Sequence, residues 1–210
     1  MDNEAATRMT LMTKKGQIKL ASDGVTLLEG KREALLQELI DRAKELRSLR
    51  NELHVRGRRS VADLAFARAA QGTPSVRSVG VAGRRELDLE VVSEKVWGMN
   101  LDKIEAKNVV RFPKDRGVGL IDTSSHVLEA AESAERMVEQ LVVCAPLERN
   151  ITLIGEEVKK TNRRINALNE YLLPKLRGEV RLIARVLEER EREDTFRLKK
   201  IKKKKSEKAK

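Results

Sequence analysis

The sequence has 210 residues, 44 of them Lys or Arg and 33 Asp or Glu, with one cysteine and only 2% aromatics. That composition excludes a thick spherical core, because aromatic side chains normally supply much of the buried area. It also excludes a disulfide framework and, with only His54 and His126 beside Cys144, the usual nitrogen and sulfur metal clusters.

No run approaches 18 apolar residues and the first thirty residues carry charges throughout, so neither a membrane span nor a signal peptide is expected. The lone cysteine makes a reducing, cytoplasmic setting the default. The net charge of +11 is concentrated at one end: residues 197–210 hold nine basic residues and one acidic, which accounts for +8 of it.

From about Met12 to Ala70, Gln, Glu, Lys, Arg, Leu and Ala dominate and no proline intervenes, which predicts a long helix. Its apolar positions repeat by heptads. One series runs Ala21, Leu28, Leu35, Arg42, Leu49 and the other Val25, Arg32, Leu39, Leu46, Leu53. Within this stretch Gly24 to Arg32 comes nearest to a phosphate loop. It has five residues between the glycines where four are needed, and Arg32 stands where a hydroxyl should hold magnesium, so the helix is the better reading.

Between Gly72 and Gly119 lie six of the twelve glycines and two of the four prolines, and the helical period disappears. Leu87, Leu89 and Val91 alternate, as do Ile104, Ala106, Asn108, Val110 and Phe112, which predicts two short strands. Trp97-Gly98-Met99-Asn100 lies between them, so a β-hairpin or small ribbon is expected.

A second helical region starts near Ser125, with Thr123, Ser124 or Ser125 as its N-cap. Pro146 is expected to bend it after a short helix ending near Cys144. Its seam reads Leu147, Ile151, Ile154, Val158, Thr161, Ile165, Leu168, Leu172, Leu176, Val180, Ile183, Leu187. Three consecutive steps of four between Leu168 and Val180 predict a stutter, and with Pro174 a kink or a change of packing.

Two such stripes predict a mainly α fold in which a long antiparallel two-helix coiled coil carries a small mid-chain β-hairpin region. The expected parts are 1–71, an N-terminal coiled-coil helix; 72–122, a middle region with short strands; and 123–210, a C-terminal coiled-coil helix with a basic tail. The seam is expected to include Leu28, Leu35, Leu39, Leu46, Ile154, Val158, Ile165, Leu168 and Leu172. Sixty residues per helix would make a rod of about 90 Å. No catalytic constellation or cofactor site is evident: carboxylates are spread along helix faces, and Cys144 closes an apolar run where it should pack as a small hydrophobe.

Particular words in the sequence carry a resemblance. Thr7-Arg8-Met9, the stretch from Gly24 through Gly30-Lys31-Arg32 to Leu35, Val96-Trp97-Gly98, Lys159 to Leu168 with Pro174 following, and Glu188 to Lys199 occur in this order along nearly the whole chain. In these segments the sequence resembles the D subunit of the archaeal and vacuolar-type rotary ATPases.

The resemblance implies the central stalk of an ATP synthase or ion pump: a non-catalytic coiled-coil shaft that binds no nucleotide. It implies that the shaft enters a hexamer of catalytic and regulatory subunits, carries the small F subunit along its side and stands in the funnel-shaped C subunit above the membrane ring, peripheral on the cytoplasmic face. On this reading Arg163, Arg164, Arg190, Arg192, Arg197 and Trp97 are expected partner contacts, and coupling is expected to depend on the seam around Leu168, Leu172 and Pro174. The alternative is a free-standing coiled-coil adaptor whose basic tail binds nucleic acid or anionic membrane; a small enzyme ranks third.

Overall fold

The computed structural model describes residues 6–117, 119 and 123–208, with side chains as far as residue 204. The elements in chain order are α1 (Arg8–Gln71), α2 (Thr73–Ala82), β1 (Leu89–Val96), β2 (Met99–Ala106), a 3₁₀ turn (Pro113–Arg116), α3 (Ser125–Asn166), a π-helical segment (Ala167–Leu172) and α4 (Leu173–Lys208). The fold is mainly α with one small antiparallel hairpin. The chain divides into two compact units, one formed by residues 1–34 with 158–210 and the other by 35–157.

In the first unit the start of α1 runs antiparallel to the end of α3, the π segment and α4. Its core is Val25, Ile165 and Leu173, flanked by Ile18, Ala21, Leu28 and Leu168. Side-chain partners move in opposite directions along the helices: Arg32 Nη1 donates to Asn162 Oδ1, Lys14 pairs with Glu179 at 3.0 Å, and Arg8 pairs with Glu191.

The kink expected at Pro174 takes the form of the π segment just before it. Pro174 has no N–H to offer the carbonyl of Glu170 and its ring crowds that position. A wider turn relieves the crowding, and the Leu173 N–H bonds the carbonyl of Leu168, five residues back. The extra residue re-phases the seam. After Ile165 and Leu168 the deepest position is Leu173, followed by Leu176, Val180 and Ile183, so a step of five stands where the sequence had steps of four and the three-four alternation resumes. Leu173 is buried, while Leu172 is only half-buried.

In the second unit the remainder of α1 packs against the first part of α3. Leu35 and Ile154 have no exposed surface, Leu39 meets Gly155, and Arg50 pairs with Glu148 at 2.9 Å. The expected bend at Pro146 does not interrupt α3, which runs through it with the proline buried. Ser124 is the cap, its Oγ accepting from the His126 N–H.

The middle region holds a helix that the sequence reading did not expect. Gly72, at φ 78°, breaks the chain after α1, and α2 begins at once with Pro74 in its first turn. Val76 and Val79 of α2 cover a core of Ala67, Val127 and Ala130. The hairpin pairs Val96 with Met99 around Trp97-Gly98, at φ 52° and 81°, so the turn has two residues; Met99 and Asn100 belong to β2. Asn108, Val110 and Phe112 lie beyond the strand, which stops at Ala106. The boundary expected at 122 falls outside the described residues.

Candidate functional site

Each expected residue has a definite place. The heptad positions Leu28, Leu39, Leu46, Val158, Leu168 and Leu172 are half-buried, and Leu35, Ile154 and Ile165 are buried. Arg163 and Arg164 are exposed on α3. Arg190 donates to the carbonyl of Ala6 at 2.9 Å, Arg192 pairs with Glu188 at 2.7 Å, and Arg197 lies 3.7 Å from Glu193. Trp97 is half-exposed at the hairpin turn. The five arginines belong to the first unit and Trp97 to the second.

The stretch from Gly24 to Arg32 is continuous helix without a loop to cradle phosphate. Cys144 is buried, and burial, aided by Glu148 and Glu52, pushes its thiol upward and away from nucleophilic reactivity. Among the described residues no group of His, Cys, Asp or Glu is arranged to hold a metal ion. No helix among them is long and apolar enough to cross a membrane.

Sequence reasoning missed two features. The first is a second stripe on α1, on the helix face turned away from the buried seam. Met9, Met12, Leu20 and Leu27, separated by three, eight and seven residues with Gly16 among them, share one side of the helix, and the four large side chains are 71–76% exposed. Its helical spacing was present in the sequence, hidden by the stronger Leu and Val stripe beside it.

The second is a part-buried ion cluster in the second unit, built around the buried Arg116. The carboxylate of Glu135 accepts from the Arg111 N–H at 2.9 Å, from Arg111 Nε at 2.8 Å and from Arg116 Nη2 at 3.0 Å. Arg116, only 3% exposed, also donates to the carbonyls of Leu128 and Arg111, and Arg111 Nη2 donates to that of Gly83. Burial is the largest single influence on Glu135 and opposes its ionisation. The Arg111 amide and the two guanidiniums outweigh it and hold the carboxyl below the usual glutamate range. The cluster ties the end of α2 and the segment after β2 to α3.

A further tie fixes the hairpin. Asn150, 3% exposed on α3, accepts from the Asp102 N–H at 3.0 Å and donates to the Asp102 carbonyl at 2.8 Å, while Arg149 pairs with the Asp102 carboxylate at 3.2 Å. One amide side chain thus meets the outward groups of Asp102 as a residue of a neighbouring strand would.

The family model for the ATP synthase D subunit matches residues 10–203. The chain belongs to that family. Among its relatives is the V-type ATP synthase D subunit of Thermus thermophilus, 38% identical over 204 residues that span 96% of this chain and 89% of the relative. The A-type ATP synthase D subunit of Methanosarcina mazei is 34% identical, covering 93% and 94%. The V-type D subunit of an Anaeromyxobacter species is 36% identical, covering 96% and 94%. Family membership over nearly the full length agrees with the central-stalk expectation and leaves the adaptor reading without support.

Proposed function

We propose that this chain is the central rotor shaft of an A/V-type ATP synthase, coupling ATP synthesis or hydrolysis in a catalytic hexamer to ion movement through a membrane ring. The observation that carries this reading is the family match across residues 10–203, which embraces both helical regions and the hairpin. The antiparallel helix pairing within each unit supports a mechanical role for the chain, with nucleotide chemistry in its partners.

A two-helix coil is asymmetric in cross-section. Inside a threefold ring it contacts each catalytic interface differently and biases each toward a different state; turning it exchanges those states. Within each unit the Leu, Ile and Val seam resists sliding of one helix on the other. Arg163, Arg164 and Trp97, and the stripe from Met9 to Leu27, are the surfaces we assign to contacts with the hexamer, the small F subunit and the funnel-shaped C subunit. Arg190, Arg192 and Arg197 would reach partners by exchanging their internal ones. The complex would hold the chain at the cytoplasmic face.

The test is purification of an affinity-tagged chain from native membranes, with a second form lacking residues 199–210. Co-elution of the other ATP synthase components with both forms supports the shaft. Recovery of nucleic acid or a lone dimer, abolished by the truncation, would instead establish the adaptor.

A further inference from the structure

The sheet has only two strands among the described residues, and its two outer edges are treated differently. On the edge of β2, Asn150 takes both outward groups of Asp102. Seven of the eight residues of β1 are exposed, including Leu89 at 43%, Val91 at 61% and Val92 at 51%, and nothing among the described residues pairs with its outer side.

The register fixes which backbone groups that edge presents. In a two-residue hairpin the closing pair Val96–Met99 exchanges both hydrogen bonds, and bonded and unbonded pairs then alternate along the ladder. Ser93 and Asp102 form an unbonded pair, in agreement with Asp102 turning its N–H and carbonyl outward to Asn150. The outward groups of β1 are therefore those of Leu89, Val91, Ser93 and Lys95, a free edge four donors and four acceptors long. It contains no proline or bulge, two of the devices that blunt an edge, and its charges are Glu90, Glu94 and Lys95.

The charges decide what can occupy it. A second copy pairing antiparallel over the whole edge would place Glu90 opposite Glu94 twice on one face, which is repulsive. Glu90 is satisfied by Lys107 at 2.6 Å, whereas Glu94 forms no ion pair among the described residues. We propose that β1 is a docking edge for an extended strand of a different protein, one carrying Lys or Arg across from Glu94 and apolar residues across from Val91 and Val92. Backbone hydrogen bonds to the four outward residues supply binding, and Glu94 selects the partner.

The test uses the full chain and a capped synthetic strand of sequence Thr-Lys-Thr-Val-Val-Lys-Val, with a second peptide in which Glu replaces both Lys. Amide hydrogen exchange is read residue by residue. The lysine peptide should slow exchange at Val91, Ser93 and Lys95 by about tenfold or more, leaving the internal amides of Val92 and Glu94 protected as before. Val91→Pro deletes an outward N–H and spares the internal ladder, so it should abolish that slowing while Val92 and Glu94 stay protected. Glu94→Lys should reverse the preference toward the glutamate peptide. No slowing with the lysine peptide, or equal slowing with both peptides, would overturn the proposal. Neither result depends on assembly of the ATP synthase.

Discussion

Removing the carboxylate of Glu135 should unfasten the second unit. Its three charge-assisted hydrogen bonds, at 2.8–3.0 Å, converge from Arg111 and Arg116, whose side chains are 17% and 3% exposed. Deleting one member of a buried ion cluster typically costs about 3–5 kcal/mol, because the remaining charge stays buried without its partner. Arg116 keeps its bonds to the Leu128 and Arg111 carbonyls, and Arg111 keeps Gly83, so the lower end applies. Glu135→Ala should therefore destabilise the unit by about 3 kcal/mol, and Glu135→Gln, which retains one acceptor, by less. Urea unfolding followed through Trp97, the sole tryptophan and a member of that unit, measures the difference. With the folded-state pKa depressed, ionised Glu135 adds stability above the ordinary glutamate value of about 4.3, and the gain is lost as pH falls through the folded value. The gap between wild type and Glu135→Gln should accordingly close on acidification below about pH 4. A Glu135→Ala protein as stable as wild type at neutral pH, or a gap that widens in acid, would refute the reasoning.

Other consequences follow from the packing. Asn150→Ala removes both bonds to the Asp102 backbone, and exchange at the Asp102 amide should accelerate by roughly tenfold, about 1–2 kcal/mol of local stability. Leu173→Ala should cost about 3 kcal/mol and Leu172→Ala about 1–2 kcal/mol less, since the π segment buries the former; thermal unfolding of the two variants would separate them. Thr161 is fully buried and its hydroxyl has no partner among the described residues, so Thr161→Val should raise stability by about 1 kcal/mol, seen as a higher Tm.

The long helices were legible because heptad repetition is a local signal sustained over many turns: Val25, Leu28 and Leu35 announce one face without knowledge of the partner. The hairpin showed itself through alternation, yet its turn was read two residues too long, because only the positive φ at Trp97 and Gly98 identifies a two-residue loop. Helix α2 escaped notice. Its ten residues are too few for a periodic signal, and only the fold brings Val76 and Val79 against Ala67 and Val127. The stutter near Pro174 was visible as a pattern, but its resolution into a π turn depends on how the proline's missing N–H is accommodated. The Glu135 cluster could not be seen at all. In a chain that is 37% charged, nothing local distinguishes Arg111, Arg116 and Glu135 from solvated residues; only the fold buries them together.

The central claim is that this chain turns. A cysteine placed at exposed Val81 on α2, with Cys144 left buried, gives a site for a bead on the assembled complex while its hexamer is fixed to glass. On addition of ATP the bead should rotate in one direction, in steps of about 120° set by three catalytic interfaces acting in turn. ATP hydrolysis at the normal rate with the bead fixed relative to the hexamer would contradict the account.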